Sequence, residues 1–297
     1  MAQSHLLDAP MKLLLESGLY LVATPIGNLG DFSPRGVRTL SACDLILAED
    51  TRVTKRLMGL HGVTGRVVRC DEAATASGLA AALAVLDAGG AVAFCSDAGT
   101  PGVSDPGERL AQGVIAAGHR VLAVPGASAA LAALTVSGLP SAQFFFAGFA
   151  PAKAGARASF LQEVAGIAAT LIFYESGPRL ADSLAAMVKV LGDRPACVAR
   201  ELTKLYEETR RGRLSELADF YAQSGAPRGE IVVVVGGHSA QAPTRETADL
   251  DAILSAALTQ HSVKDAAAAI ALETGLPRKD VYRRALELIA EMRQAVP

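Results

Sequence analysis

The sequence predicts an α/β protein in two lobes, 18–138 and 139–238, with a helical module, 250–297, behind a linker at 239–249. Three observations predict it. Short apolar runs alternate with helix-like stretches through the first half of the chain. A second alternating series begins after the break at Gly138-Leu139-Pro140. Beyond the small polar residues at 238–244, strand signals stop and only helical spacing continues. Regular βαβα alternation points to a mostly parallel sheet with helices on both faces. The 297 residues suffice for two or three domains with real cores.

In the first lobe the strand candidates are 19–24, 45–49, 67–69, 91–96 and 121–124, each a short apolar run. Between them, 33–42, 52–60, 75–88 and 105–117 space Leu, Val and Ala as helices do, and 127–137 adds one more. The stretch 139–144 is the expected hinge. In the second lobe, strands are expected at 143–149, 170–174, 196–200, 207–211 and 231–235, with helices at 156–164, 179–191 and 214–223. The tail reads as three helices, 250–260, 264–274 and 280–293; Ser262 with Asp265 three residues on forms an N-cap, and Gly275-Leu276-Pro277 supplies a stop and turn. Residues 1–17 lack a basic start and a long apolar run, so they read as a flexible surface segment rather than a signal peptide.

Composition narrows the function classes. Apolar residues make up 51% and charged residues 20%, ordinary for a soluble globular protein. The formal net charge is −2, so any contact with nucleic acid must rest on local basic clusters. With no Trp and 5% aromatics, a stacking platform for single strands is not expected. The longest charge-free stretch, 121–152, is broken by Pro125, Gly126, Gly138 and Pro140, too often to span a bilayer. Cys43, Cys70, Cys95 and Cys197 form no C-x-x-C, and no His lies at ligand spacing. The expectation is a cytoplasmic, reduced protein without a metal.

Four loops after first-lobe strands concentrate Gly, Pro, Ser, Thr and acids: 24–31, 49–52, 96–107 and 125–129. In open parallel sheets ligands bind beyond the carboxyl ends of strands, where such loops enter helices. One loop of this kind is an ordinary βα turn; four together point to a shared ligand cleft. The cleft carries no standard nucleotide signature. There is no G-x-x-x-x-G-K-[ST], no G-x-G-x-x-G after the first strand and no G-x-S-x-G elbow.

The run Leu21-Val22-Ala23-Thr24-Pro25-Ile26-Gly27-Asn28-Leu29-Gly30-Asp31 resembles the opening of the ribosomal RNA small-subunit methyltransferase I family. So do Ala48-Glu49-Asp50-Thr51-Arg52, the 96–107 loop, Pro125-Gly126-Ala127-Ser128-Ala129 and Phe173-Tyr174-Glu175-Ser176. Arg200-Glu201-Leu202-Thr203-Lys204 and Gly229-Glu230-Ile231-Val232 complete the series, and 262–288 resembles the family's C-terminal helical module. One departure is Gly177, where the family pattern has Pro and little consequence is expected. The resemblance implies the tetrapyrrole methylase fold, with a cofactor cleft between two α/β lobes. It also implies S-adenosyl-L-methionine as methyl donor, the ribose 2′-hydroxyl of a decoding-centre cytidine in 16S rRNA as acceptor, and a homodimer acting on 16S rRNA or the small ribosomal subunit.

By the same resemblance, Pro25, Asp97, Thr100, Val103, Ser128 and Ala129 line the cofactor from the first lobe, and Tyr174, Glu201, Gly229 and Glu230 from the second. A ribose hydroxyl is a poor nucleophile at neutral pH, so a positioned carboxylate is expected as general base, with Asp50, Glu49 and Glu175 as candidates. Each has a structural alternative: Glu49-Asp50 suits a helix N-terminus and Glu175 a turn. Arg52, Arg200 and Lys204 are candidate phosphate contacts, although Arg52 can instead pair with Asp50. Arg278, Lys279, Arg283 and Arg284 form a basic edge in the tail, offset by Glu273, Glu287 and Glu291; Arg210, Arg211 and Arg213 form a second cluster. Two other functions compete: a methylase of the same fold acting on a corrin or porphyrin precursor, and a non-catalytic ribosome-binding protein.

Overall fold

Strands β1 (Gly18–Val22), β2 (Leu45–Ala48), β3 (Val67–Arg69), β4 (Ala91–Cys95) and β5 (Val121–Val124) form one sheet in the order β3-β2-β4-β1-β5, with every neighbouring pair parallel. In this computed structural model, residues 15–238, 247–274 and 276–294 are described; the expected N-terminal segment through residue 14 and the linker at 239–246 lie outside them. Runs such as Leu45-Ile46-Leu47-Ala48 are apolar throughout because both faces of this sheet are covered. Helices α1 (Pro34–Ala42) and α2 (Thr51–Leu60) set Leu40, Leu57 and Met58 against Val22, Ile46 and Ala93 on one face. Helices α3 (Thr75–Asp87) and α4 (Gly107–Ala116) set Ala82, Leu86, Leu110 and Val114 against Leu19, Leu47 and Phe94 on the other.

The strand order positions the site. Neighbouring β1 and β4 send their chains in opposite directions, through α1 to β2 on one side and through α4 to β5 on the other. A crevice opens where the order reverses, between the loops that leave those two strands. A backbone bridge spans it: Thr24 N donates to Gly99 O at 2.9 Å, and Gly99 N to Thr24 O at 3.1 Å.

Helix α5 (Ala129–Ser137) ends at Gly138, whose φ of 77° is the left-handed turn that glycine adopts most cheaply. The second sheet holds β6 (Phe144–Phe149), β7 (Thr170–Ser176), β8 (Pro195–Arg200), β9 (Glu208–Arg213) and β10 (Glu230–Val235) in the order β6-β7-β10-β8-β9. Only β6 and β7 run parallel; the other pairs are antiparallel. Apolar continuity in Ile231–Val235 reflects cover on both faces, not parallel neighbours. One face packs on α6 (Ala154–Val164), α7 (Gly177–Leu191) and α8 (Leu214–Ser224). The other packs Ile172, Cys197, Val232 and Val234 against Ala130, Ala133 and Leu134 of α5. By packing, α5 therefore belongs to the second sheet although it follows β5 in sequence.

The chain divides into two units, Met1–Gly237 and His238–Pro297. The second contains α9 (Thr247–Leu258), α10 (Val263–Thr274) and α11 (Arg278–Gln294) around Leu254, Ala267, Ile270, Val281, Ala285 and Leu288. Ser262 caps α10 through Asp265 N at 3.2 Å.

Candidate functional site

A cleft of about 440 Å³ opens at the switch point, with the first-lobe loops on one side and the ends of β7, β8 and β10 on the other. Glu49, which follows β2, accepts a hydrogen bond from Asp97 N at 3.1 Å; Asp97, which follows β4, accepts one from Asp50 N at 3.0 Å. The two loops are thus laced together through carboxylates. Burial pushes both Glu49 and Asp97 above the ordinary carboxylate range, with the Asp97 charge adding to the effect on Glu49.

Asp50 sits in a different environment. It caps α2 through Arg52 N at 2.8 Å and pairs with the Arg52 guanidinium at 2.6 Å. Those bonds hold its carboxyl down at about 2. Asp50 is not part of the cleft lining, and neither are Arg52, Pro25 and Glu201. At the first-lobe turn Ile26 forms the wall, one residue from Pro25. The 96–107 loop contributes Ser96, Asp97, Gly99, Thr100, Val103, Ser104 and Asp105. It is held by Thr100 Oγ1 donating to Ala127 O at 2.9 Å, and by Asp105 accepting from Gly102 N and Gly107 N at 2.9 and 2.7 Å. Gly99, at φ 81°, carries the backbone past Ile26 in a conformation side chains disfavour.

From the second lobe, Tyr174 lies edge-on to Phe146 and Phe149, with ring centroids 4.9 and 5.4 Å apart. Glu175 borders the cleft, yet its carboxylate is wholly buried. It accepts from Ser176 N at 2.8 Å and from Ser183 Oγ, and lies 3.3 Å from Arg179 Nε. Arg179 donates in turn to Ala150 O. This cluster anchors the start of α7 and the turn after β6.

The end of β8 folds back on itself. Glu201 Oε1 accepts from Glu230 N at 3.0 Å and from Lys204 Nζ at 2.7 Å, and Lys204 reaches Glu230 at 3.1 Å. Glu201 and Thr203 hold positive φ, 50° and 66°, strain maintained by these bonds and by Asn28 N donating to Thr203 Oγ1 at 3.1 Å. That last bond ties the two lobes across the cleft. Arg200 pairs with Glu208 at 3.0 Å and donates to Arg228 O at 3.1 Å.

The structure therefore gathers Glu49, Asp97, Thr100, Val103, Ser128, Ala129, Tyr174, Glu175, Gly229 and Glu230 around one cleft. Arg200 and Lys204 lie outside the lining, each matched by carboxylates. In the tail, Arg284 pairs with Asp251 and Glu287, and Arg283 with Asp280, while Arg278 and Lys279 are exposed. The Arg210, Arg211 and Arg213 cluster is structural: Arg210 stacks on Phe220, Arg211 donates to Val136 O and Arg213 binds Asp193. Sequence reasoning missed Ile26, Ser96, Ser104, Phe149, Leu202, Ile231 and Val232 as lining residues. The signal was available for Phe149, which ends a strand at the cleft side. The four cysteines are free and, among the described residues, no His, Cys, Asp and Glu cluster could hold a metal. Among those residues no helix is long and apolar enough to cross a membrane.

A family model described as Tetrapyrrole (Corrin/Porphyrin) Methylases matches residues 18–218, and one described as the RsmI C-terminal HTH domain matches 244–289. Ribosomal RNA small subunit methyltransferase I of Mesorhizobium japonicum is 49% identical over 92% of this chain and 93% of its own length. The proteins of the same name from Erythrobacter litoralis and Pseudomonas aeruginosa are 48% and 44% identical, over 92% and 91% of this chain and 96% of their own lengths. Among solved structures, uroporphyrin-III C-methyltransferase from Thermus thermophilus, complexed with S-adenyl homocysteine, is 20% identical with a TM-score of 0.52 over 74% of this chain and 97% of that one. The methyltransferase CobJ is 19% identical with a TM-score of 0.55 over 74% and 94%. The fold is thus that of the tetrapyrrole methylases. With both family models in order and relatives of this identity along nearly the whole length, the chain belongs to the ribosomal RNA small subunit methyltransferase I family.

Proposed function

We propose that this chain uses S-adenosyl-L-methionine to methylate the ribose 2′-hydroxyl of a decoding-centre cytidine in 16S rRNA, in the cytoplasm. The relatives' names support methylation of small-subunit rRNA, and one structural neighbour was solved with S-adenyl homocysteine. The residues present fit the cofactor. The cleft volume of about 440 Å³ suits a ligand of its size. Ser96 Oγ is buried there without a protein partner, a polar atom left for a ligand. Ile26, Ile231 and Val232 offer apolar walls for an adenine, and Glu49, Asp97 and Glu230 offer negative charge to a cationic ligand.

When bound, the sulfonium supplies a methyl group already activated for transfer. This chain's own task is to orient the acceptor and take its proton; orientation alone can supply about 7–11 kcal/mol in favourable cases. The observation that carries the site reading is Glu49: it lines the cleft, the Asp97 amide holds its carboxylate there, and burial pushes its pKa above the ordinary glutamate value. One Glu49 oxygen is engaged by Asp97 N, leaving Oε1 for the hydroxyl proton. Asp50 at about 2 is too weak a base, and the Glu175 carboxylate is committed to Ser183, Ser176 and Arg179. Arg52, with its side chain 89% exposed beside the cleft, is the better-placed phosphate contact in the first unit, and Arg278 and Lys279 are exposed in the tail. Lys204 and Arg200 hold the second-lobe wall in shape.

A homodimer fits the apolar side chains left exposed on the edge strand β6, Phe144 and Phe145 at 46% and 41%, and on α5, Leu131 at 49%. The test of function is methyl transfer from labelled S-adenosyl-L-methionine to purified small subunits, free 16S rRNA and a corrin precursor, with the RNA product mapped by mass spectrometry. A ribose-methylated decoding-centre cytidine is the expected result. Methylation of the corrin precursor alone would move the assignment to tetrapyrrole chemistry, and loss of cofactor binding would favour a non-catalytic ribosome-binding role.

A further inference from the structure

We propose that the outward face of α1 and α2 is the docking surface for the RNA substrate, holding its phosphates beside the cleft. The proposal rests on the rRNA reading above and assigns the surface that reading leaves open. Helix α1 carries Arg35 and Arg38, and α2 carries Arg52, Lys55 and Arg56; all five side chains are exposed, and neither helix contains an Asp or Glu. Positions three and four apart share a helix face, so the cations of each helix form one patch. The opposite sides, through Leu40 of α1 and Leu57 and Met58 of α2, are buried in the same core against one face of the first sheet.

The other face of that sheet has the opposite balance. Helices α3 and α4 carry Asp87 and Glu108 against the single cation Arg109. A chain with a formal net charge of −2 has thus placed five cations on one two-helix layer. The like-charged pair Arg52 and Arg56, four residues apart, works against helix stability. Arg52 is paired with Asp50, but among the described residues Arg38, Lys55 and Arg56 have no ion-pair partner, and Arg35 donates to the Ala123 carbonyl, which leaves its charge uncompensated. The other basic clusters of the first unit and most of α11 are different: Arg210, Arg213, Arg283 and Arg284 are matched by carboxylates.

Placement fits the same ligand. Asp50 caps α2 directly after Glu49, so the helix leads away from the cleft wall. Ten residues of helix span about 15 Å, and along the axis of a DNA duplex each strand carries a phosphate about every 3.4 Å, so a nucleic-acid strand of that length carries more than one. A strand with one nucleotide at Glu49 would have several phosphates along this face.

The experiment compares the full-length chain with Lys55→Glu/Arg56→Glu, Arg38→Glu and, on the opposite sheet face, Arg109→Glu. Binding to free 16S rRNA and to purified small subunits is measured across a salt series, together with cofactor affinity and melting temperature. The double variant is expected to bind RNA at least about tenfold more weakly near 0.15 M salt, with the slope of log K against log salt reduced by about 1 for each contact removed. Arg38→Glu is expected to show a smaller loss, and Arg109→Glu none. Cofactor affinity and melting temperature should be unchanged, which separates docking from folding. Loss on either RNA substrate supports the proposal. RNA affinity and salt slope equal to the parent's on both, while the parent binds and methylates, overturns the docking surface alone. A parent chain that binds neither RNA overturns the substrate reading and this proposal with it.

Discussion

Three carboxylates within reach of the cleft show how environment divides one side-chain chemistry into three roles. Glu49 is partly buried and raised, Asp50 is ion-paired and lowered to about 2, and Glu175 is sealed among donors. Glu49→Gln should lower kcat by about 10²–10⁴-fold while leaving cofactor affinity nearly unchanged, as single-turnover transfer and calorimetry would show. If the proposed base is Glu49, whose pKa burial raises, the rate should fall as pH drops through a value above the usual glutamate range, and that acid limb should vanish in Glu49→Gln. Asp50→Ala, by contrast, should keep kcat within a few-fold and lower the melting temperature. Its folded carboxyl is depressed below the unfolded value, so its stabilisation is present above about pH 4 and is lost as pH falls toward about 2. Gly177 also acquires a reason at this scale. The Pro227 carbonyl stands where a Cβ would be, so Gly177→Ala should force the 227 turn to shift and cost about 1–3 kcal/mol in denaturant unfolding. The resemblance implied little consequence for Gly177, and the Pro227 carbonyl supplies a packing reason for a residue without a Cβ there.

Among the elements, α7 shows how a helix start can shape a distant wall. Glu175 takes the Ser176 amide and the Ser183 hydroxyl, and Arg179 extends the cluster to Ala150, directly after Phe149. Phe149 and Tyr174, both lining the cleft, meet edge to face beside it. Ser183→Ala would leave a fully buried carboxylate short of one donor; a loss of about 1–3 kcal/mol is expected, with weaker cofactor binding if the Tyr174 wall loosens. Unchanged stability would show that the Glu175 carboxylate is satisfied without Ser183. Helix α5 makes a related point. Its sequence neighbours are β5 and the first-lobe loops, but its apolar face is complementary to the second sheet, and so Ser128 and Ala129 enter the cleft at the junction of the two lobes.

For the whole molecule, the division at Gly237 separates a cleft-bearing unit from a three-helix module with its own core of Leu254, Ile270, Val281 and Leu288. A chain ending at Gly237 is expected to bind cofactor as the full chain does and to lose affinity for rRNA; a large fall in its melting temperature would show that the units stabilise one another. Phe144 and Phe145 are exposed on the edge strand β6, and Leu131 is exposed on helix α5. Phe144→Asp/Phe145→Asp should convert a dimer to a monomer in sedimentation, and a parent chain that already sediments as a monomer would remove the dimer from the account.

Most of the secondary structure was legible because apolar period and Gly- and Pro-rich breaks are local properties: among the described residues, the ten strands and eleven α-helices lie close to where the spacing puts them. The family was legible too, since its motifs are short contiguous runs such as Ala48-Glu49-Asp50-Thr51-Arg52. So was the neighbourhood of the cleft, because loops that hold a ligand concentrate residues that ordinary turns use sparingly. What the tertiary structure decided was which atoms of those runs are free. Glu49 and Asp50 are adjacent in sequence, yet one faces the cleft and the other is consumed by Arg52. The antiparallel order of the second sheet, the migration of α5 to it and the pairing of Arg200, Lys204 and Arg284 are likewise relations between distant residues. Charge and period can be counted along a chain, whereas burial and partnership depend on what the fold brings within about 4 Å of each atom.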